Sequence, residues 1–149
     1  MADKSKIGKE YPPFTWEVEK VKIKELALAI GDENPIYTDS ETARTEGYQD
    51  TPATPTYITL PMMWNSLISR IMEDLGVDYL RKIVHGGEDY EYFDEIYPGD
   101  VLEGRSRIKD ITEKTGGAGK MNFISIETTY TNQQKQKVLA ANTVIIERE

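Results

Sequence analysis

The residues best suited to acid–base chemistry lie in a short loop, Gly31–Tyr37, in which Asp32 and Asn34 are separated by one residue. The loop follows a predicted helix, and a carboxylate there faces the negative end of the helix dipole. Such a carboxylate is solvated, hydrogen-bonded or kept for function. The same spacing is typical of a turn in which Asp32 and Asn34 cap the backbone and Pro35 fixes the loop. The loop therefore indicates either an acid–base group or a structural turn.

A second candidate is His85, the single histidine of the chain. Imidazole is the side chain whose ordinary pKa lies near neutrality, so His85 could exchange protons at physiological pH. Gly86 and Gly87 follow it, and glycines in a strand permit close approach of a ligand or another backbone. A lone histidine also fits a purely structural role. We keep His85 as a candidate acid–base residue and Gly86 as a candidate ligand contact.

Two other patterns are better explained without chemistry. Thr115–Lys120 resembles a phosphate loop, but Met121 follows the lysine and strands are predicted on both sides, which indicates a hairpin. A set of aromatic residues could stack on bases. The net charge of −8 argues against a nucleic-acid ligand, so packing within a sheet is the better explanation. This aromatic set comprises Tyr90, Tyr92, Phe93 and Tyr97.

Composition excludes several classes of function. The chain has no cysteine and one histidine, which rules out disulfides, thiolate chemistry and a metal site built on several imidazoles. Its acidic charge argues against nucleic-acid binding. The N-terminal residues are charged and no apolar run has the length of a membrane span. We expect a soluble cytoplasmic protein with no metal, no cofactor and no membrane contact.

Apolar spacing predicts three helices in the first half of the chain. The first covers Val21–Ile30, with one apolar face. Thr38 and Glu41 have the spacing of a capping box and predict a second short helix. The third, Tyr57–Leu75, is strongly apolar, and Pro61 either delays its start or kinks it. Such a helix must be covered on most sides.

The second half reads as strands separated by hairpin signals, at 83–94, 101–113, 121–131 and 136–147. Helices followed by an antiparallel meander predict an α+β fold in which a curved sheet wraps around the long apolar helix. We expect one domain over residues 1–149, with 1–11 as a loose N-terminal tail.

Residues Gly31 to Ala43 read G-D-E-N-P-I-Y-T-D-S-E-T-A. They resemble the motif G-D-x-N-P-(L/I/V)-H-x-D-x-x-x-A of the MaoC-like hydratase/dehydratase family, which has the hot-dog fold. The segments V-H-G-G-E-D-Y-E-Y and Y-P-G-D look similar to the N-terminal-half MaoC domains and to the substrate-binding subunits of heterodimeric (3R)-hydroxyacyl dehydratases. The resemblance covers about residues 10–147.

In that family an Asp and His pair activates the water that adds across a trans-2-enoyl thioester. By position, Asp32 matches the carboxylate and Asn34 the orienting amide. Tyr37 stands where the motif has histidine, and a phenol with a pKa of about 10 is a poor base at neutral pH. Thr56 and Tyr57 match the helix start that holds the thioester oxygen.

Substrate contacts follow from the same resemblance. Pro55 precedes the helix start, Gly86 lies beside His85, and Met62 and Met63 are expected to line the acyl chain. Acyl-CoA or acyl-ACP is the implied ligand. A basic patch that docks an acidic carrier could lie at Arg81-Lys82 or on the strand with Arg105, Arg107 and Lys109, although solvated strand faces explain these cations equally well.

The leading hypothesis is a subunit of an (R)-specific enoyl-thioester hydratase or 3-hydroxyacyl-thioester dehydratase. It would shape the acyl pocket while a partner chain supplies the catalytic histidine, in a homodimer or a heterodimer with a second MaoC-like chain. One alternative is a self-sufficient hydratase that uses Asp32 with Tyr37 or His85. Another is a non-catalytic acyl-CoA-binding domain.

Overall fold

The computed structural model describes residues 2–78, 82–117 and 119–148. Its strands and helices in chain order are β1 (Phe14–Glu17), α1 (Lys20–Ala29), α2 (Ser40–Thr45), α3 (Thr59–Trp64), α4 (Leu67–Asp74), β2 (Ile83–Tyr92), β3 (Val101–Gly116), β4 (Gly119–Thr131) and β5 (Lys137–Arg148). The four predicted long strands are confirmed to within a few residues at their ends.

The strands form one antiparallel sheet in the order β1-β3-β4-β5-β2. Side chains alternate between buried and partly exposed along β4 and β5, so one face of the sheet carries the core. β3 and β4 pair up to Gly116 and Gly119, which confirms the hairpin interpretation of the glycine-rich segment. Ala118 lies outside the described residues. The α+β prediction is confirmed.

The long central helix is divided in two, which corrects the prediction of one helix. Pro61 lies in the first turn of α3, where its missing amide costs nothing. The break comes later, at Asn65 and Ser66, and Ser66 has a left-handed φ of 56°. The Asn65 side-chain oxygen accepts the Leu67 amide at 2.9 Å and so starts α4.

This break changes which side chains are buried. A helix covered on most sides, as predicted, would bury Met63 and Trp64, but they are 76% and 71% exposed. After the break α4 buries Leu67, Ile71 and Met72 against the sheet. A second apolar cluster forms where α1 meets the other end of the sheet. The two clusters leave a cleft beside α3 and α4.

Two smaller predictions are also corrected. α2 is capped by Asp39 rather than Thr38, because Asp39 Oδ2 accepts the Thr42 amide at 2.8 Å. The N-terminal segment is not loose. Ala2 is buried, its amide donates to Glu147 Oε2 at 2.7 Å, and the segment after it bonds to the backbone of β3.

Candidate functional site

The loop after α1 is held by two side-chain caps. Gly31 has a φ of +73°, the left-handed conformation with which glycine commonly ends a helix. Asp32 Oδ1 accepts the Asn34 amide at 3.0 Å, and Asn34 Oδ1 accepts the Ile36 amide at 3.2 Å. Proline opens the 3-10 turn Pro35–Tyr37. Both polar side chains therefore have a structural task, as the turn interpretation predicts.

Tyr37 packs partly buried against the apolar cluster around Tyr57. Burial raises the pKa of the Tyr37 phenol, and the negative charge of Asp32 raises it further, as do Tyr48 and Glu95. The phenol therefore keeps its proton at neutral pH. It can donate a hydrogen bond to a substrate or a water, but it cannot act as a general base.

Tyr92, at the end of β2, connects this loop to the segment before α3. Its hydroxyl donates to the Pro55 carbonyl at 2.7 Å. Burial raises the pKa of Tyr92 to about 12, and the charges of Glu95 and Tyr37 contribute. Tyr92 belongs to the aromatic set for which the acidic net charge favoured sheet packing. Its contact with Pro55 was not predicted, because it depends on where the fold places the end of β2.

Two predicted substrate contacts in the segment before α3, Thr56 and Tyr57, differ in exposure. Tyr57 is fully buried, and its hydroxyl accepts the Trp16 indole N–H at 3.2 Å. Its amide donates to the Thr54 carbonyl at 2.9 Å, so it is already occupied. Thr56 is exposed and its carbonyl accepts the Thr59 amide. Of the two predicted oxyanion donors, Tyr57 is part of the core.

A cleft of about 740 Å³ lies between the two central helices and the sheet. Its helix side includes Met62 and Met63, the predicted acyl-chain contacts. Met62 is 5% exposed and Met63 is 76% exposed, so the first belongs to the wall and the second to the rim. The sheet side includes His85, Glu88 and Thr143. The volume lies in the range of small-molecule sites.

His85 and Glu88 lie on the same face of β2 because of a β-bulge. In a regular strand, residues three apart point to opposite faces. Here the pairing with β5 shifts between His85 and Gly87, so that His85 opposes Ile145 and Glu88 opposes Thr143. His85 Nε2 lies 3.3 Å from Glu88 Oε1, and the Thr143 hydroxyl donates to Glu88 Oε2 at 3.1 Å. Gly86, a predicted ligand contact, forms the bulge.

The predicted catalytic residues therefore divide into two groups. Asp32, Asn34 and Tyr37 lie beside the Tyr92 end of β2, and His85 lies near its other end. Seven residues of strand separate His85 from Tyr92, about 20 Å at the rise of a β-strand. The fold does not bring His85 to Asp32.

The cations considered for carrier docking are paired with carboxylates. Arg105 Nε lies 2.8 Å from Glu103, and Arg107 Nη2 lies 2.7 Å from Glu127, which also meets Lys109 at 3.7 Å. The β3 stripe therefore presents cations already paired with carboxylates rather than a free basic patch. Arg81 lies outside the described residues.

Among residues 2–78, 82–117 and 119–148, no three His, Asp or Glu side chains are placed to hold a metal ion together. Within the same ranges, no helix combines the length and the apolar character that a membrane crossing requires.

Comparison with known families shows the family and supports the fold. A family model described as FAS1-like, dehydratase domain region, matches residues 5–141. A UPF0336 protein of Saccharopolyspora erythraea is 35% identical over 149 residues, covering 98% of this chain and 91% of the relative. A UPF0336 protein of Streptomyces avermitilis is 33% identical, with 98% and 95% covered.

Solved structures agree in fold at low identity. The C-terminally truncated HadBC (3R-hydroxyacyl-ACP dehydratase) complex of Mycobacterium tuberculosis gives a TM-score of 0.79 at 21% identity, covering 95% of this chain and 96% of the other. A MaoC-like dehydratase gives a TM-score of 0.83 at 22% identity, covering 97% of this chain and 43% of the other. The (R)-hydratase of A. caviae involved in PHA biosynthesis gives 0.67 at 12% identity, with 96% of each covered.

Proposed function

The chain belongs to the FAS1-like dehydratase-region family and has the hot-dog fold of MaoC-like hydratases and dehydratases, and on this premise we propose that it is the acyl-binding subunit of an (R)-specific enoyl-thioester hydratase or 3-hydroxyacyl-thioester dehydratase. A partner chain with the same fold supplies the catalytic histidine. The partner is a second MaoC-like chain that carries the motif histidine, since another copy of this chain would also have tyrosine at position 37.

The observation that carries the proposal is the state of Tyr37. The loop that holds Asp32 and Asn34 is fully formed, but the residue at the histidine position is a phenol whose pKa is raised. A proton-transfer partner contributes about 10²–10⁴ in rate. His85 lies too far along β2 to replace it. The chain therefore has the frame of the site without its base.

The remaining contacts fit the binding half of the reaction. We assign the thioester oxygen to the backbone amide of the exposed residue Thr56, since the Tyr57 amide already donates to the Thr54 carbonyl. Pro55 is held in place by Tyr92. The acyl chain then enters the cleft past Met63 and along Met62. Either CoA or an acyl carrier protein could deliver it, because the paired cations of β3 favour neither.

The test exchanges the one residue that the frame lacks. We expect the purified chain alone to hydrate crotonyl-CoA near the background rate, and the Tyr37→His variant to raise that rate at least about a hundredfold, the lower end of the range for one acid–base group. Co-purification with a chain that carries an intact G-D-x-N-P-x-H motif should give full activity without any substitution. In that complex Tyr37→Phe should change turnover less than about twofold, because the phenol is not the base.

Tyr48→His is the matched control. Tyr48 is a partly buried phenol close enough to influence Tyr37, but it lies outside the motif frame. It should leave hydration at background. Robust turnover by the chain alone that is lost in Tyr37→Phe would contradict the partner requirement and support the self-sufficient alternative.

A second candidate function is binding without catalysis. It is favoured by the finding that the Asp32 and Asn34 side chains already cap the loop. It predicts that acyl-CoA binds to the chain by calorimetry and that no MaoC-like partner gains activity from it. This second candidate is excluded if a complex with a MaoC-like partner loses turnover when this chain is left out.

A further inference from the structure

The cleft has an unusual wall for a site that would take a plain alkyl chain. Its apolar side chains come from both central helices and from the sheet, but half of the lining residues are polar. These polar residues are Thr59, Ser66, Ser69, His85, Glu88 and Thr143. A saturated chain would cover these groups and remove their water without giving hydrogen bonds in return, which is unfavourable.

Glu88 is the most constrained of these polar groups. Its side chain is 16% exposed, and it is held by the Thr143 hydroxyl at 3.1 Å, which is itself 2% exposed. The Thr143 hydroxyl lies 3.6 Å from the Met62 sulfur, so the carboxylate stands directly beside the apolar wall. An ionised carboxylate has about four acceptor positions, and these contacts leave capacity for a donor from a ligand.

His85 supplies the complementary group. Its Nε2 lies 3.3 Å from the other oxygen of Glu88, and its side chain, which lines the cleft, is 58% exposed. A ligand hydroxyl can donate to the carboxylate, and its oxygen can also accept a hydrogen bond when the facing imidazole nitrogen carries a proton. A ketone or a methyl group has no proton to donate to the carboxylate. The pair therefore favours a hydroxyl over either of them.

The local backbone is built to keep this pair together. The bulge at Gly86 turns His85 and Glu88 to the same face, against the alternation of the strand. Glu91, on the same strand, opposes Ala140 and is exposed on the other face. The two glutamates thus offer a matched comparison.

We infer, resting on the proposed function, that Glu88 and His85 bind a hydroxyl group carried on the acyl chain, so that the cleft selects hydroxylated acyl thioesters over plain alkyl ones. The hydroxyl is distant from the thioester. Thr56 precedes α3, and the α3 residues Thr59 and Met62 line the cleft, so a chain that begins at Thr56 passes along α3 before it reaches Thr143 and Glu88. A medium-length acyl chain with a terminal hydroxyl reaches the pair.

The test uses two ligands of equal size. In ω-hydroxyoctanoyl-CoA a hydroxyl occupies the place of the terminal methyl of nonanoyl-CoA. Calorimetry on the full chain should give about 10- to 100-fold tighter binding of the hydroxylated ligand, the range for a hydrogen bond to a charged group. In Glu88→Leu the preference should fall below about twofold, and nonanoyl-CoA should bind at least as well as before. Glu91→Leu should keep the preference.

Each of the other outcomes contradicts the hydroxyl inference, and one of them also contradicts the proposed function. Equal binding of the two ligands to the unaltered chain overturns the hydroxyl inference and leaves the proposed function standing. Equal weakening of both ligands by Glu88→Leu also overturns it, because the carboxylate then contacts the part that they share. Binding of neither ligand overturns the proposed function as well. If Glu88→Leu does not fold, Glu88→Gln keeps the size and removes the charge, and it should reduce the preference at least threefold.

Discussion

Replacing Gly86 with alanine tests whether the β-bulge positions the cleft residues. A Cβ at Gly86 would lie 2.8 Å from Ile146 Cγ1, 2.9 Å from Ile146 Cδ1 and 3.1 Å from the Val144 carbonyl oxygen. At Gly87 a Cβ would meet nothing within 4 Å. Neither glycine has a left-handed φ, so the two positions differ by steric space and not by backbone strain.

The magnitude follows from these contacts. The Ile146 side chain can turn aside at about 0.5–1.5 kcal/mol for a strained rotamer, but the Val144 oxygen belongs to the β2–β5 ladder and moves only with the strand. Overpacking typically costs about 1–3 kcal/mol, and alanine returns about 0.4–1 kcal/mol through the unfolded chain. We expect Gly86→Ala to destabilise by about 1–2 kcal/mol and Gly87→Ala to be neutral or stabilising.

Thermal unfolding of the two variants measures this difference. At about 2–4 °C per kcal/mol for a chain of this size, the Tm of Gly86→Ala should lie about 2–12 °C below that of Gly87→Ala. Gly86→Ala should cost less stability in an Ile146→Ala background than in the unaltered chain, since the two sites share the clash. The preference for a hydroxylated acyl chain should weaken in Gly86→Ala and persist in Gly87→Ala. Equal Tm values and equal preferences would refute the role of the bulge.

Two further predictions concern the central helix and the N-terminal segment. Ser66 adopts a left-handed φ of 56° and makes no side-chain cap. Ser66→Gly should therefore raise the free energy of unfolding by about 0.5–1 kcal/mol, whereas Ser66→Val should lower it, as measured by urea titration. A Ser66→Val variant as stable as the unaltered chain would contradict this account. Hydrogen bonds from Lys9, then Tyr11 and Lys6, lower the pKa of Asp74 to about 2. Because this pKa is depressed, the associated stability is present above the ordinary carboxyl pKa of 3.8 and is lost as the pH falls toward 2. Asp74→Asn should therefore flatten the fall of Tm between pH 4 and 2 relative to the unaltered chain; parallel curves for Asp74→Asn and the unaltered chain would refute it.

The elements of this fold were largely predictable because their signals are local. Period-two alternation and glycine-rich turns identified β3, β4 and β5, and their pairing follows from adjacency in sequence. The division of the central helix was not predictable from proline alone. It depends on Asn65, whose side chain starts a new helix, and on Ser66, a residue type that rarely adopts a left-handed φ.

The cleft residues were partly predictable. Met62, Met63 and His85 were singled out by residue type, but Glu88 and Thr143 were not. Thr143 meets Glu88 only through strand pairing across 55 residues. A spacing of three between His85 and Glu88 argues for opposite faces of a strand, and the Gly86-Gly87 pair between them is the one local sign that a bulge reverses this.

The loop from Gly31 to Tyr37 explains how a catalytic frame can be complete without its base. Gly31 ends α1 in a left-handed conformation, the Asp32 and Asn34 side chains cap successive amides, and Pro35 opens the 3-10 turn. Each of these residues has a backbone task that needs no reaction. The side chain of Tyr37 is different, since it has no capping role and only packs beside Tyr57 and Asp32. A match to the frame is therefore evidence for the geometry of the loop, and under the proposed function the residue at position 37 decides whether the chain that carries it can move a proton.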